Sequence, residues 1–140
     1  MKLDSRSQLM EYFGAQQKNI HWSWCAVNEE MKQVFLSVWT DTRSKRGGDE
    51  KVSYLIQEPH WGANESSGSF SPARNDHDEK ISKIFNDGYT PYGYFVVAKD
   101  VNASPREIAE TKTSFIFSLE LKQLPDGTII GYPLDRIEVK

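Results

Sequence analysis

The stretch Gln33-Val34-Phe35-Leu36-Ser37-Val38-Trp39-Thr40 sets the tightest limit on how this chain can fold. It is rich in β-branched and aromatic residues, which predicts a strand. Successive side chains of a strand point to opposite faces. Val34, Leu36 and Val38 therefore share one face, and Phe35, Ser37 and Trp39 share the other. Large apolar groups on both faces place the strand inside a sheet covered on both sides. A partner strand is expected over 20–27, joined through a hairpin loop at 28–32. Trp22 and Trp24 share one face of that partner, opposite Ser23 and Cys25. The two strands carry three of the four tryptophans.

The rest of the chain supplies further strands and a few helices. A short helix is expected over 5–14, capped by Asp4 or Ser5 and closed by Gly14, with Leu9, Met10 and Phe13 facing the core. A third strand over 51–57 ends at Glu58-Pro59. Residues 59–73 are rich in Gly and Ser and read as a long mobile loop, although Trp61 and Phe70 give it a means of docking. A helix over 74–87 follows, capped by Asn75 or Asp76, with Ile81, Ile84 and Phe85 as its buried stripe and Gly88 as its terminator. Tyr92 to Lys99 is a fourth strand. Ser104, Pro105 and Glu107 form a capping box, which predicts a helix over 102–110. Residues 113–124 make a long fifth strand, and Pro125-Asp126-Gly127-Thr128 a tight turn. A sixth strand over 129–132 stops at Pro133, and Ile137 and Val139 add a short last pairing. The expected fold is a single α+β domain over 1–140, a curled mixed or antiparallel sheet of five to six strands with two or three helices.

Composition narrows the function. Hydrophobic residues make up 38% of the 140 and charged residues 26%, the balance of a globular chain. A net charge of −3 argues against non-specific coating of nucleic acid, which relies on many Lys and Arg contacts to phosphate. Local basic patches remain available at Arg43, Lys45 and Arg46. Cys25 is the sole cysteine, so no disulfide can form within the chain, which fits a reducing cytoplasm. In an apolar strand it reads as buried filler. No apolar run follows Met1-Lys2-Leu3-Asp4, and no stretch nears the roughly 20 apolar residues that span a bilayer. A cytoplasmic protein without membrane attachment is expected.

Motifs for metal, phosphate or nucleophilic chemistry are weak. His21, His60, His77 and Cys25 have no zinc-site spacing, so no metal and no cofactor is expected. Asp76 and Asp78 read as a solvated helix start. Cys25 lacks an orienting partner for thiolate chemistry. What stands out is the aromatic set Trp22, Trp24, Trp39, Tyr92 and Tyr94. Its bland account is core packing. Its sharper account is a concave site for a flat ligand, such as an extruded base, oriented by Asp41 and Lys99. A cage for a methylated cation uses the same kind of rings.

A resemblance adds to this. The segments Asn19-Ile20-His21-Trp22-Ser23-Trp24-Cys25-Ala26 and Val34-Phe35-Leu36-Ser37-Val38-Trp39-Thr40-Asp41 come first. Tyr92-Gly93-Tyr94 through Ala98-Lys99-Asp100 follow, then Pro105-Arg106-Glu107-Ile108. Together they resemble a small domain found beside HNH-type nuclease modules in bacterial restriction proteins. The resemblance implies a DNA-recognition module that senses modified bases, on a curled sheet of the PUA-like type. Arg43, Lys45, Arg46 and Arg106 would then touch phosphate. The HNH part is absent, so this chain alone is not expected to cut DNA. The alternatives are an interaction or inhibitor domain in a phage–host defence system, with Trp61 and Phe70 as anchors, and a small nucleotide-binding protein or hydrolase.

Overall fold

A computed structural model describes residues 5–17, 24–44, 51–61, 71–102 and 108–139. Among these residues two helices, α1 (Arg6–Tyr12) and α2 (Pro72–Asp87), accompany seven strands. The strands are β1 (Cys25–Asn28), β2 (Gln33–Trp39), β3 (Tyr54–Gln57), β4 (Thr90–Ala98), β5 (Ile108–Thr111), β6 (Phe115–Gln123) and β7 (Ile129–Glu138). A 3₁₀ turn, Thr40–Thr42, follows β2 directly. The sheet runs β1-β2-β4-β6-β7-β3, with β5 also paired to β4. β2 and β4 are parallel, and every other strand pairing is antiparallel. The fold is therefore α+β on a mixed sheet, as expected, with more strands than the sequence suggested. The sheet is open. Ser44, after the 3₁₀ turn, and Ser53, before β3, form an isolated antiparallel bridge, exchanging backbone bonds of 2.8 and 2.6 Å.

β2 is covered on both faces, as its composition demanded. On one side Phe35 packs with Leu9 and Met10 of α1 and with Tyr94, Val96 and Ile116. On the other, Val34, Leu36 and Val38 pack with Ile81 of α2, Cys25, Phe117 and Leu119. Sealing a side chain of this size contributes about 1.5–3 kcal/mol. Gly93, paired with Leu36, allows the second layer to close over β4. A methyl group there would sit 2.5 Å from Phe117 Cε2 and 2.9 Å from its Cζ. That ring is held against Phe95, 4.5 Å between centroids, and cannot swing away freely. Gly93→Ala is expected to cost about 1–3 kcal/mol through overpacking. A urea midpoint equal to that of the parent would refute it.

Several expectations are corrected. The strand expected over 20–27 is seen as β1, Cys25–Asn28, and residues 18–23 lie outside the described residues. The capping box at 104–107 also lies outside them, but residues 108–110, expected in the same helix, belong to β5 (Ile108–Thr111). Val96, Val97 and Ala98 offer that segment backbone partners, and pairing overrides a local helix-start signal. Pro133 does not end its strand: β7 continues to Glu138. Pro133 faces Leu119 beside a register shift, beyond the residues of β7 that β3 pairs with, so its missing N–H breaks no inner ladder. α2 begins earlier than expected, with Ser71 accepting the Arg74 N–H and Pro72 in the first turn. Of the expected loop 59–73, residues 59–61 form a turn and 72–73 belong to α2, while 62–70 lie outside the described residues. Gly88 closes α2 in the left-handed conformation, as expected.

Candidate functional site

The parallel register of β2 and β4 determines which predicted residues meet. Trp39 lies opposite Val96, so the chain that follows β2 and the chain that follows β4 leave the sheet at one end. Trp39, half-buried against the α1-side core, stands at that end. The 3₁₀ turn beyond it packs against β4 and carries Asp41, with Arg43 just after; both are exposed. Thr42 anchors the turn, its hydroxyl donating to Trp39 O at 2.7 Å and accepting from the Leu55 N–H at 3.2 Å. Lys99, also exposed, follows β4 directly. An aromatic surface, a carboxylate and two cations are thus gathered at one sheet end. Lys45, Arg46 and Arg106 lie outside the described residues. By chain order, the first two follow Ser44 and the third stands two residues before Ile108, which pairs with Ala98.

The other predicted rings are divided between places. Trp22 lies outside the described residues. Tyr92 is further back along β4, stacked on Phe35 at 5.4 Å, and its hydroxyl lies 3.5 Å from Gln33 Nε2. Tyr94 is completely buried in the α1-side core. Burial pushes its hydroxyl up to about 12, partly opposed by the positive charge of Arg6. It is a core residue and presents no face to a ligand. Trp24, just before β1, packs instead toward α2. Its ring is 5.3 Å from His77 and 6.4 Å from Trp61, edge-on to the latter at 88°. Trp61, expected as a projecting anchor, is half-buried against Leu55, Ile130 and Tyr132. Phe70 lies outside the described residues. An open groove beside α1, lined by Ser7, Met10, Gly14 and Gln17 among others, takes in none of the aromatic set.

A second arrangement escaped the sequence reading. The buried face of α2 carries charge: Arg74, Asp76, His77 and Lys80 are all buried there, whereas Phe85 is 47% exposed. Lys80 Nζ donates to Asp76 Oδ1 at 3.0 Å, and the Cys25 thiol points at Asp76 Oδ2 from 3.8 Å. Asp76 is therefore not a solvated helix start. Burial pushes the Cys25 thiol far up, with Asp76 adding to the shift, so it stays protonated and inert. Gln57 Nε2 donates to Asp78 Oδ1 at 2.9 Å, leaving Gln57 Oε1 to accept from His77 Nδ1 at 2.6 Å. That assigns the His77 proton to Nδ1. Burial lowers the His77 pKa to about 4, so the ring is neutral at pH 7. Arg74 Nε bonds both Asp78 oxygens at 3.1 Å, and Nη1 holds Pro59 O and Trp61 O at 2.8 Å each.

The spacing could have revealed this face. Asp76 and His77 stand one helical repeat before Lys80 and Ile81, and so share their stripe. Chemically the cluster consists of paired charges, a neutral imidazole and an inert thiol. Among the described residues no three His, Cys, Asp or Glu side chains are grouped to hold a metal. No helix among them is long and apolar enough to cross a membrane.

Fold and geometry together define a class: an α+β mixed-sheet domain with a polar-rimmed aromatic sheet end and a charged, buried helix face. Comparison with known proteins finds no family model, no curated protein and no solved structure that matches the chain.

Proposed function

We propose that the chain is a non-enzymatic binding module for a modified base in DNA, serving restriction or a related defence system. The observation that carries the reading is the gathering of Trp39, Asp41, Arg43 and Lys99 at one end of the parallel β2–β4 pair. Trp39 offers a stacking surface, Asp41 and Lys99 a hydrogen-bonding pair for the base edge, and Arg43 a phosphate contact. Lys45, Arg46 and Arg106 extend the basic set. Tyr92 supports the platform from behind through the Phe35 layer, and Tyr94 has no part in it. The resemblance to domains beside HNH-type nucleases supports the same reading, with cleavage left to a nuclease partner.

The test is a fluorescence titration with methylated, hydroxymethylated and plain DNA, repeated at two salt concentrations. One modified form should bind more tightly than plain DNA. Trp39→Ala should weaken that binding by about 1–3 kcal/mol, the contribution of one stacked base. Arg43→Ala should weaken all three DNAs alike and reduce the salt dependence. Equal, negligible affinity for all three in the parent would refute the reading.

A further inference from the structure

The corner made by Trp24 and Trp61 is separate from the sheet end just described. Both rings are half-buried, and they meet at a right angle, 88°, with centroids 6.4 Å apart. The buried ring of His77 lies behind Trp24 at 5.3 Å. Two carboxylates belong to the same neighbourhood. Glu58 lies in the turn that carries Trp61, whose N–H bonds Glu58 O at 3.1 Å, and Asp78 directly follows His77. Their side chains are 32% and 46% exposed.

The cations nearby already have counter-ions. Arg74 is bound by Asp78 and by the carbonyls of Pro59 and Trp61, with Glu58 O at 3.4 Å. Lys80 is bound by Asp76 at 3.0 Å, with Glu79 at 3.6 Å. His77 is neutral at pH 7. His60 is exposed and lies 3.3 Å from Glu58. Arg74 also sets the corner itself, because its hold on the Pro59 and Trp61 carbonyls fixes the turn that presents Trp61.

We infer that the Trp24–Trp61 corner is a binding site for a quaternary ammonium group. Perpendicular indole faces offer negative π-surface to a cation that cannot donate hydrogen bonds, and tryptophan is the best side chain for this. Glu58 adds long-range attraction without needing a direct bond, whereas Asp78 serves as the counter-ion of Arg74 and adds none. A free ammonium fits less well, because the N–H groups it turns toward the two rings lose their water and meet no acceptor there.

The experiment uses choline and its neutral carbon isostere, 3,3-dimethylbutan-1-ol, titrated into the intact chain with tryptophan fluorescence as readout. Nα-acetyl-trimethyllysine amide forms a further arm and distinguishes a modified side chain from a free small cation. Choline or the trimethyllysine should bind about tenfold or more tightly than the isostere, the size of effect a partly desolvated cation–π contact gives. Trp61→Ala should abolish that preference. Trp61→Phe should weaken it while preserving the packing on Leu55 and Tyr132. Trp39→Ala should leave it unchanged, which separates this site from the proposed base site. Equal response to charged and neutral ligands in the parent chain would overturn the inference, and so would an undiminished preference in a folded Trp61→Ala variant.

Discussion

Replacing Lys80 by methionine should destabilise the fold by about 3–5 kcal/mol, the usual cost of breaking a buried ion pair by removing one partner. The reason lies in what the variant leaves behind. The Asp76 side chain is 0% exposed, and Lys80 Nζ at 3.0 Å is the charge that answers it. A methionine fills the space under α2 but leaves a carboxylate facing a protonated thiol. The double variant Asp76→Leu/Lys80→Met removes both charges and should recover most of the loss, because a well-packed apolar pair often matches a buried ionic one. Urea denaturation of the parent, the single variant and the double variant gives the comparison. If Lys80→Met stays within about 0.5 kcal/mol of the parent, the pair behaves as a surface feature and the account is wrong.

Acid should act through His77. The folded chain holds this ring neutral, with its pKa lowered from 6.5 to about 4 by burial; Arg74 lowers it further, while Asp78 and Asp76 oppose. Between those two values the unfolded chain binds a proton that the folded chain refuses, so stability rises with pH across the window. The contribution is whole above 6.5 and is lost as pH falls toward 4. Its full size is about 3 kcal/mol. His77→Asn keeps a donor near the position of Nδ1, able to reach Gln57, and has no proton to gain. Urea midpoints measured between pH 4 and pH 6.5 should fall steeply in the parent and much less in this variant. Parallel slopes in the two would place the acid sensitivity elsewhere.

How far the sequence could be read depended on the kind of signal. The two-faced apolar pattern of residues 33–40 correctly demanded an inner strand, because the period-2 rule needs no partner to be known. Ser5, Gly14 and Gly88 marked helix ends for equally local reasons. The failures came where distant partners decide. Ile108–Thr111 became a strand because β4 has an edge to offer, and Pro133 was tolerated because it lies beyond the reach of β3. Site reading split the same way. Trp39, Asp41, Arg43 and Lys99 were selected from sequence, but only the parallel register showed that they share an end. Tyr94 was selected for its spacing from Tyr92, yet that shared face turned out to be the one α1 covers. Asp76 and His77 were passed over because charged residues near a helix start usually face water. Nothing local announces that Cys25 and Gln57, 51 and 20 residues away, will meet them.

The parallel β2–β4 pair also governs the order in which the chain can assemble. β1 with β2, and β6 with β7, are each joined by a short turn and can zip as they form. The central pairing cannot, because Trp39 must wait for Val96 across a connection that contains β3 and all of α2. β3 has no neighbour in the ladder until β7 exists to receive it. Closing such long intervals before any contact rewards them is slow. Folding should therefore be limited by docking of the 40–89 connection, with the two local hairpins formed beforehand. During synthesis, β3 would keep an unpaired ladder edge until β7 has been made, whereas the charged face of α2 can meet Cys25 and Gln57 as soon as the helix is formed.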